Sequence, residues 1–259
     1  MKPSIAITGS NSYLGQKVSS YLTQKNFEVK EYCRKSVNHP YDLKSASLSR
    51  FENIGTVIHM AHDFGASKTD FDLICNEIEQ QLKAFSKSNI RSIYISSLSA
   101  FVENPSRYSR QKLIIERIFS SYDASVIRVG LVIPNDKDFD RQPRPYSQLR
   151  ALLKFSPFTI VNSSQAKYFV TRIDDFLLSI VLKLDDEVNS NISVSITKGP
   201  LTFDQLVSEL NVGKSIKIGS IDLSQIKTLI EIFPRPFPDK YSDKLVNLVA
   251  GMEVTSNPS

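Results

Sequence analysis

The 259-residue chain is predicted to adopt an α/β fold, a doubly wound parallel sheet with a small carboxyl-terminal lobe. Three observations predict it. Short runs rich in Ile and Val, such as Ile5-Ala6-Ile7, Val57-Ile58 and Ile93-Tyr94-Ile95, are apolar without alternation, as strands buried on both faces are. Stretches with helical spacing separate these runs, and right-handed crossovers between parallel strands bring all the strand carboxyl ends to one edge. The first run passes through Thr8 into two glycines, Gly9 and Gly15, that mark a tight turn and a helix start.

Gly9 lets the chain turn sharply off the first strand, and Gly15 lets the helix predicted over residues 12–24 pack closely on it. The helix amino end then offers its N–H groups to an anion. Gly9, Asn11, Ser12, Tyr13, Leu14 and Gly15 are therefore a candidate diphosphate cradle. The middle glycine common in such loops is replaced by Ser12 or Tyr13, whose Cβ narrows the approach without closing it. Two glycines six apart also suit a plain strand–helix turn, so neighbouring features have to decide.

Residues 27–33 read as the second strand, ending at Arg34-Lys35. In dinucleotide-binding folds an acid at that tip binds the ribose 2′-hydroxyl, whereas an arginine accommodates a 2′-phosphate. Arg34 thus favours NADP(H) and leaves NAD(H) open; the competing reading is a solvated basic loop. Residues 39–43 suggest a short strand before a small helix, and residues 56–62 a strong apolar strand. A helix over 71–87, a strand over 92–97 that finishes in hydroxyls, a loop through Pro105, a helix over 108–119 and a strand over 124–129 complete the alternation.

From Pro134 to about Gln165 the period is lost among prolines 143, 145 and 157 and several arginines, which suggests a substrate-facing insertion. Helices over 174–184, 201–210, 223–232 and 242–249 and short strands over 191–196 and 216–218 follow, with no internal repeat. The expected organisation is a nucleotide-binding domain of residues 1–134, with 166–190 packing back on it, and a substrate-binding lobe with carboxyl-terminal helices over 135–259.

Net charge is +5 with pI near 9.0, yet acids are interspersed with bases, so the balance suits small anionic ligands rather than nucleic acid. Cys33 and Cys75 lack ligand spacing with the three histidines, which argues against a metal site and for a reducing compartment. No apolar run approaches a membrane span, and a cytoplasmic protein is expected.

Tyr108 and Lys112 lie four apart, hence on one helix face, eleven residues after Ser97 at a strand end. Tyr13–Lys17 and Tyr21–Lys25 repeat the spacing without the preceding hydroxyls. A phenol moving protons near neutral pH needs its pKa lowered by roughly three units, which a neighbouring ammonium and a cationic nicotinamide favour. Ser97 would orient the same substrate oxygen, with Ser96 and Ser99 as competitors.

With these residues in view, the chain resembles the short-chain dehydrogenase/reductase superfamily, in its extended branch of NAD-dependent sugar-nucleotide epimerases and dehydratases. The matching pieces are Thr8-Gly9…Gly15, Asp42-Leu43, Val57-Ile58-His59-Met60-Ala61, Ile95-Ser96-Ser97, Tyr108…Lys112…Glu116, Arg128-Val129-Gly130 and Val170…Asp174-Asp175. The resemblance implies a Rossmann-type domain and an NAD(P)-dependent 4-keto reductase or epimerase of a nucleotide sugar. It implies Ser97, Tyr108 and Lys112 as catalytic residues, Asp42 and Leu43 near adenine, Ala61 and His62 along the cofactor, and Lys112 on the nicotinamide ribose. It also carries an expectation of a homodimer. Two other readings stand beside it: a dinucleotide-binding regulator or scaffold without turnover, and a reductase of a non-sugar carbonyl. Arg128, Arg144, Arg150 and Arg172 are candidates for a substrate diphosphate, His59 is expected to be structural, and Asn76 to be solvated.

Overall fold

A computed structural model of the chain describes residues 4–45, 51–63, 65–101, 107–135, 142–155, 158–161, 167–186, 192–211 and 219–222. The first half contains β1 (Ser4–Thr8), α1 (Tyr13–Gln24), β2 (Val29–Tyr32), β3 (Ile54–His59), α2 (Lys68–Lys87), β4 (Arg91–Ser97), α3 (Arg107–Ser120) and β5 (Ser125–Val129). The second contains β6 (Leu131–Ile133), α4 (Arg144–Phe155), β7 (Phe158–Val161), β8 (Tyr168–Arg172), α5 (Ile173–Asp185), β9 (Ile192–Ser195), β10 (Lys198–Leu201), α6 (Phe203–Glu209) and β11 (Gly219–Asp222). Two compact units emerge, one of Met1–Ser96, Gln111–Arg128 and Asp174–Ser195, the other of Ser97–Arg110, Val129–Ile173 and Ile196–Ser259.

The first unit is built on a six-stranded sheet of order β2-β1-β3-β4-β5-β9, in which β1 pairs in parallel with both β2 and β3 and β3 pairs in parallel with β4. The doubly wound expectation is met. Every residue of β1 is buried, the pattern demanded of a strand covered on both faces. The chain leaves β1 toward β2 on one side and β3 on the other, so the carboxyl ends of β1 and β3 flank the point where the winding reverses, the place where such sheets hold ligands.

Packing beside the sheet is aromatic. Tyr32 stacks on Phe51 with centroids 4.8 Å apart, and Tyr94 stacks on Phe119 at 4.5 Å. Phe71, Ile74, Ile78, Leu82 and Phe85, at helical spacing on α2, join the same core, each such side chain contributing about 1.5–3 kcal/mol by burial.

Local sequence sets the helix starts. Ser12 caps α1, its Oγ accepting from the Gly15 amide at 3.0 Å. Ser67 and Asp70 form a capping box that begins α2 three residues before the predicted start, and Thr202 with Gln205 does the same for α6, two residues after it. Residues 39–43 depart from the predicted strand: only one parallel bridge, Cys33 to Pro40, survives beside β2, since a proline cannot donate to a ladder.

In the second unit β8 lies between β6, parallel to it, and β10, antiparallel to it, while β7 and β11 form a parallel pair. Tyr146, Leu149 and Leu153 of α4 pack with Tyr168, Val170, Phe203 and Leu206 in its core. Here α4 and β7 occupy a stretch read from sequence as aperiodic. Pro145 stands in the first turn of α4, where its missing N–H has no intrahelical partner to lose. The helices predicted over 223–232 and 242–249 and the strand over 216–218 lie outside the described residues.

Candidate functional site

Gly9 follows β1 with φ +72°, and a Cβ there would stand 2.8 Å from the Cα and the amide nitrogen of Ala61, just past β3. At Gly15 a Cβ would stand 2.5 Å from the Gly9 carbonyl oxygen. Both glycines are thus required by close backbone approach in a turn that leads into the capped start of α1. Ser12, at one of the two positions where the middle glycine is expected, uses its hydroxyl on the Gly15 amide at the start of α1.

Arg34 and Lys35 form an exposed turn just beyond β2. The Asp42 carboxylate accepts the Lys44 amide at 2.9 Å, a local turn, and Leu43 packs against the core. Leu43, Ala61 and His62 share a small pocket with Thr8, His59 and Asp63 in the first unit. His59 is buried between Phe85 and Phe119, with its Nε2 3.4 Å from Ser92 Oγ. Burial depresses its pKa to about 3, so it is a neutral packing residue, as expected. His62 is likewise depressed to about 3, by burial first and by the Lys112 charge second. Asn76 is exposed on α2.

In the second unit Ser97 ends β4 and Tyr108 lies in the first turn of α3. Tyr108 is hydrogen-bonded to the Ser97 side chain; burial raises its pKa above the ordinary phenol value and that bond opposes the rise. The direction is opposite to the lowering that proton transfer near neutral pH asks for. The protein alone therefore keeps Tyr108 as a neutral phenol. Of the three candidate serines, Ser97 is partly exposed while Ser96 and Ser99 are buried, and Ser99 Oγ lies 2.9 Å from Ser97 Oγ.

The boundary between the units falls inside α3, so Lys112 belongs to the first unit, and the helix itself sets it one turn from Tyr108. Lys112 is 6% exposed, donates to the Ile95 carbonyl at 2.8 Å and sits 4.7 Å from the Tyr94 ring centroid. Burial lowers its pKa to about 7 against an upward pull from Glu116. The control pairs behave differently: Lys17 and Lys25 each lie 5.6 Å over their own Tyr13 and Tyr21 rings.

Glu116, one turn further along α3, is buried and paired with Arg128 of β5, Nη2 to Oε1 at 2.6 Å and Nε to Oε1 at 3.1 Å. Arg128 therefore serves a carboxylate of its own unit rather than a substrate diphosphate. Arg172 and Lys198 both pair with Glu209. The Glu116–Arg128 pair had a partial signal in sequence, the i, i+4 run Tyr108, Lys112, Glu116; the strand partner had none. Tyr94 under Lys112, and Ser99 as a hydrogen-bond partner of Ser97, are contacts of the candidate residues that only the fold brings in.

No family model matches the sequence, and no curated protein matches it. Solved structures do match the fold. A UDP-glucuronic acid 4-epimerase from Bacillus cereus in complex with NAD aligns with a TM-score of 0.64 and 18% identity over 95% of this chain and 96% of that one. A dTDP-4-dehydrorhamnose reductase from Clostridium acetobutylicum aligns with a TM-score of 0.65 and 21% identity over 90% of this chain and 86% of that one. Another, from Bacillus anthracis in complex with NADP, aligns at 0.64 and 14% over 86% of each chain. The chain has the fold of these epimerases and reductases.

Proposed function

We propose that the chain is an NAD(P)-dependent oxidoreductase of a nucleotide-activated sugar, with a 4-keto reductase preferred over an epimerase, and with Ser97, Tyr108 and Lys112 as its catalytic residues. The observation that carries this reading is the bond between the Tyr108 phenol and the Ser97 hydroxyl at the carboxyl end of β4. A dinucleotide binder without turnover has no use for that pair.

The residues present suit the cofactor: a turn that only glycines can make opens a capped helix whose amides favour a diphosphate. Gly9, Asn11, Ser12, Tyr13, Leu14 and Gly15 would hold the diphosphate, and Arg34 a 2′-phosphate. Asp42 and Leu43 would meet adenine, Ala61 and His62 would border the nicotinamide half, and Lys112 would bind its ribose. When bound, the nicotinamide supplies hydride transfer to or from a sugar carbon.

In the reducing direction the carbonyl carbon gains the hydride and its oxygen takes the proton of Tyr108, leaving a phenolate that solvent reprotonates. Burial keeps Tyr108 in the protonated form from which a proton can be given, and Ser97 donates a hydrogen bond that orients the same oxygen. Protonated Lys112 stabilises the phenolate as it forms. Arg144 and Arg150 on α4 remain as candidates for the substrate diphosphate.

The test is to incubate the chain with NADPH or NADH and a panel of UDP-, GDP- and dTDP-linked 4-keto sugars and hexoses. Consumption of reduced nicotinamide with a 4-keto sugar is the expected result. Dinucleotide binding without turnover across the panel would favour the regulator instead.

A further inference from the structure

We propose that Ser99 is a positioning residue for Ser97, fixing the direction of the hydroxyl that meets the substrate oxygen. The inference rests on the Ser97–Tyr108 reading above. A 3₁₀ turn, Leu98–Phe101, follows β4 directly and folds Ser99 back over the strand end. Its amide donates to Ser97 Oγ at 3.2 Å and its own Oγ lies 2.9 Å from the same atom. Ser99 is 6% exposed while Ser97 is partly open, so Ser97 is the hydroxyl a ligand can reach and Ser99 stands behind it. Ser96 is no rival: strand alternation turns it to the other face, where its Oγ is buried with no hydrogen-bond partner among the described residues.

A serine hydroxyl has one proton and two acceptor positions. The Ser99 amide fills one acceptor position of Ser97. The Ser99 hydroxyl donates to the second. The Ser97 proton then points to the Tyr108 phenol oxygen, the direction in which their bond opposes the rise in the phenol pKa. Once Tyr108 has given its proton to the substrate, Ser97 keeps that same proton directed at the phenolate or the substrate oxygen. No O–H bond of either serine breaks. Ser99 is what holds Ser97 as a donor with both of its acceptor positions matched.

The experiment compares Ser99→Ala, Ser99→Cys and Ser99→Thr in chain labelled with [ζ-¹³C]tyrosine, the Tyr108 resonance being identified by its loss in Tyr108→Phe. That shift reads the hydrogen bonding of the phenol with no substrate or cofactor present, so it does not depend on the proposed activity. Ser99→Ala is expected to move the Tyr108 resonance and Ser99→Thr to restore it, with Ser99→Cys covering the case in which alanine disturbs the turn. In turnover, Ser99→Ala should lower kcat about tenfold with KM little changed, the loss of one hydrogen bond to a charged transition state. In a Tyr108→Phe background it should add nothing. A Tyr108 resonance unmoved in a folded Ser99→Ala chain, or one that threonine fails to restore, overturns the proposal. A moved resonance in a chain that turns over no sugar leaves Ser99 as the positioning residue and removes the sugar-oxidoreductase reading.

Discussion

A Cβ on Gly9 would stand 2.8 Å from both the Cα and the amide nitrogen of Ala61, and Gly9 has φ +72°. These two residues follow β1 and β3, the neighbouring strands at which the sheet reverses its winding. Gly9→Ala meets a backbone clash and a strained dihedral together, so it should cost about 2–4 kcal/mol. A melting temperature lowered by roughly 5–15 °C checks this. Ser12→Gly should be nearly neutral, since glycine is an acceptable helix cap.

Lys112 makes stability depend on pH in a defined direction. Its folded pKa is depressed from 10.5 to about 7, so between those values the unfolded chain binds the extra proton and stability rises with pH. The burial penalty is full below pH 7 and gone above about 10.5. Lys112→Met should therefore gain on the wild type most near pH 6 and lose that advantage as pH rises toward 10. Thermal melts of the two proteins across this range give the comparison, and the trend in the difference is the test, not its value at one pH.

The Glu116–Arg128 pair has side chains only 4% and 12% exposed. Removing one partner strands a buried charge, so Glu116→Gln should cost about 3–5 kcal/mol. Replacing both, as Glu116→Leu with Arg128→Met, should cost much less than the two single changes summed. Denaturant unfolding of the four proteins closes the cycle.

Arg34 bears on cofactor choice. Charge-assisted bonds to a 2′-phosphate are worth roughly 1.5–3 kcal/mol, about ten- to a hundredfold in affinity. Wild type should prefer NADPH over NADH by that factor, and Arg34→Ala should lose the preference. An unchanged ratio would return Arg34 to the solvated-loop reading.

What sequence could carry here was local. Unbroken apolar runs located β1, β3, β4 and β5, and the two glycines of the turn after β1 were legible because their chemistry is contiguous. Residues 144–155 hide a helix because prolines 143 and 145 read as breakers, although Tyr146, Leu149 and Leu153 already held the helical period. Gly199 and Pro200 disguised β10 in the same way, since its partner β8 lies some thirty residues away in the chain. In the candidate site the helix spacing of Tyr108, Lys112 and Glu116 was readable. The Arg128 that neutralises Glu116, the Tyr94 ring beneath Lys112 and the turn that brings Ser99 onto Ser97 depend on tertiary placement.

The central claim is that the Tyr108 phenol moves the proton. The most direct measurement is turnover of Tyr108→Phe beside Tyr21→Phe on the best sugar substrate, with melting temperature and dinucleotide affinity recorded for both. Tyr108→Phe should fold and bind dinucleotide as the wild type does while turnover falls by at least about a hundredfold, and Tyr21→Phe should leave turnover unchanged. Undiminished turnover in a folded Tyr108→Phe, or an equal loss in Tyr21→Phe, would contradict the account.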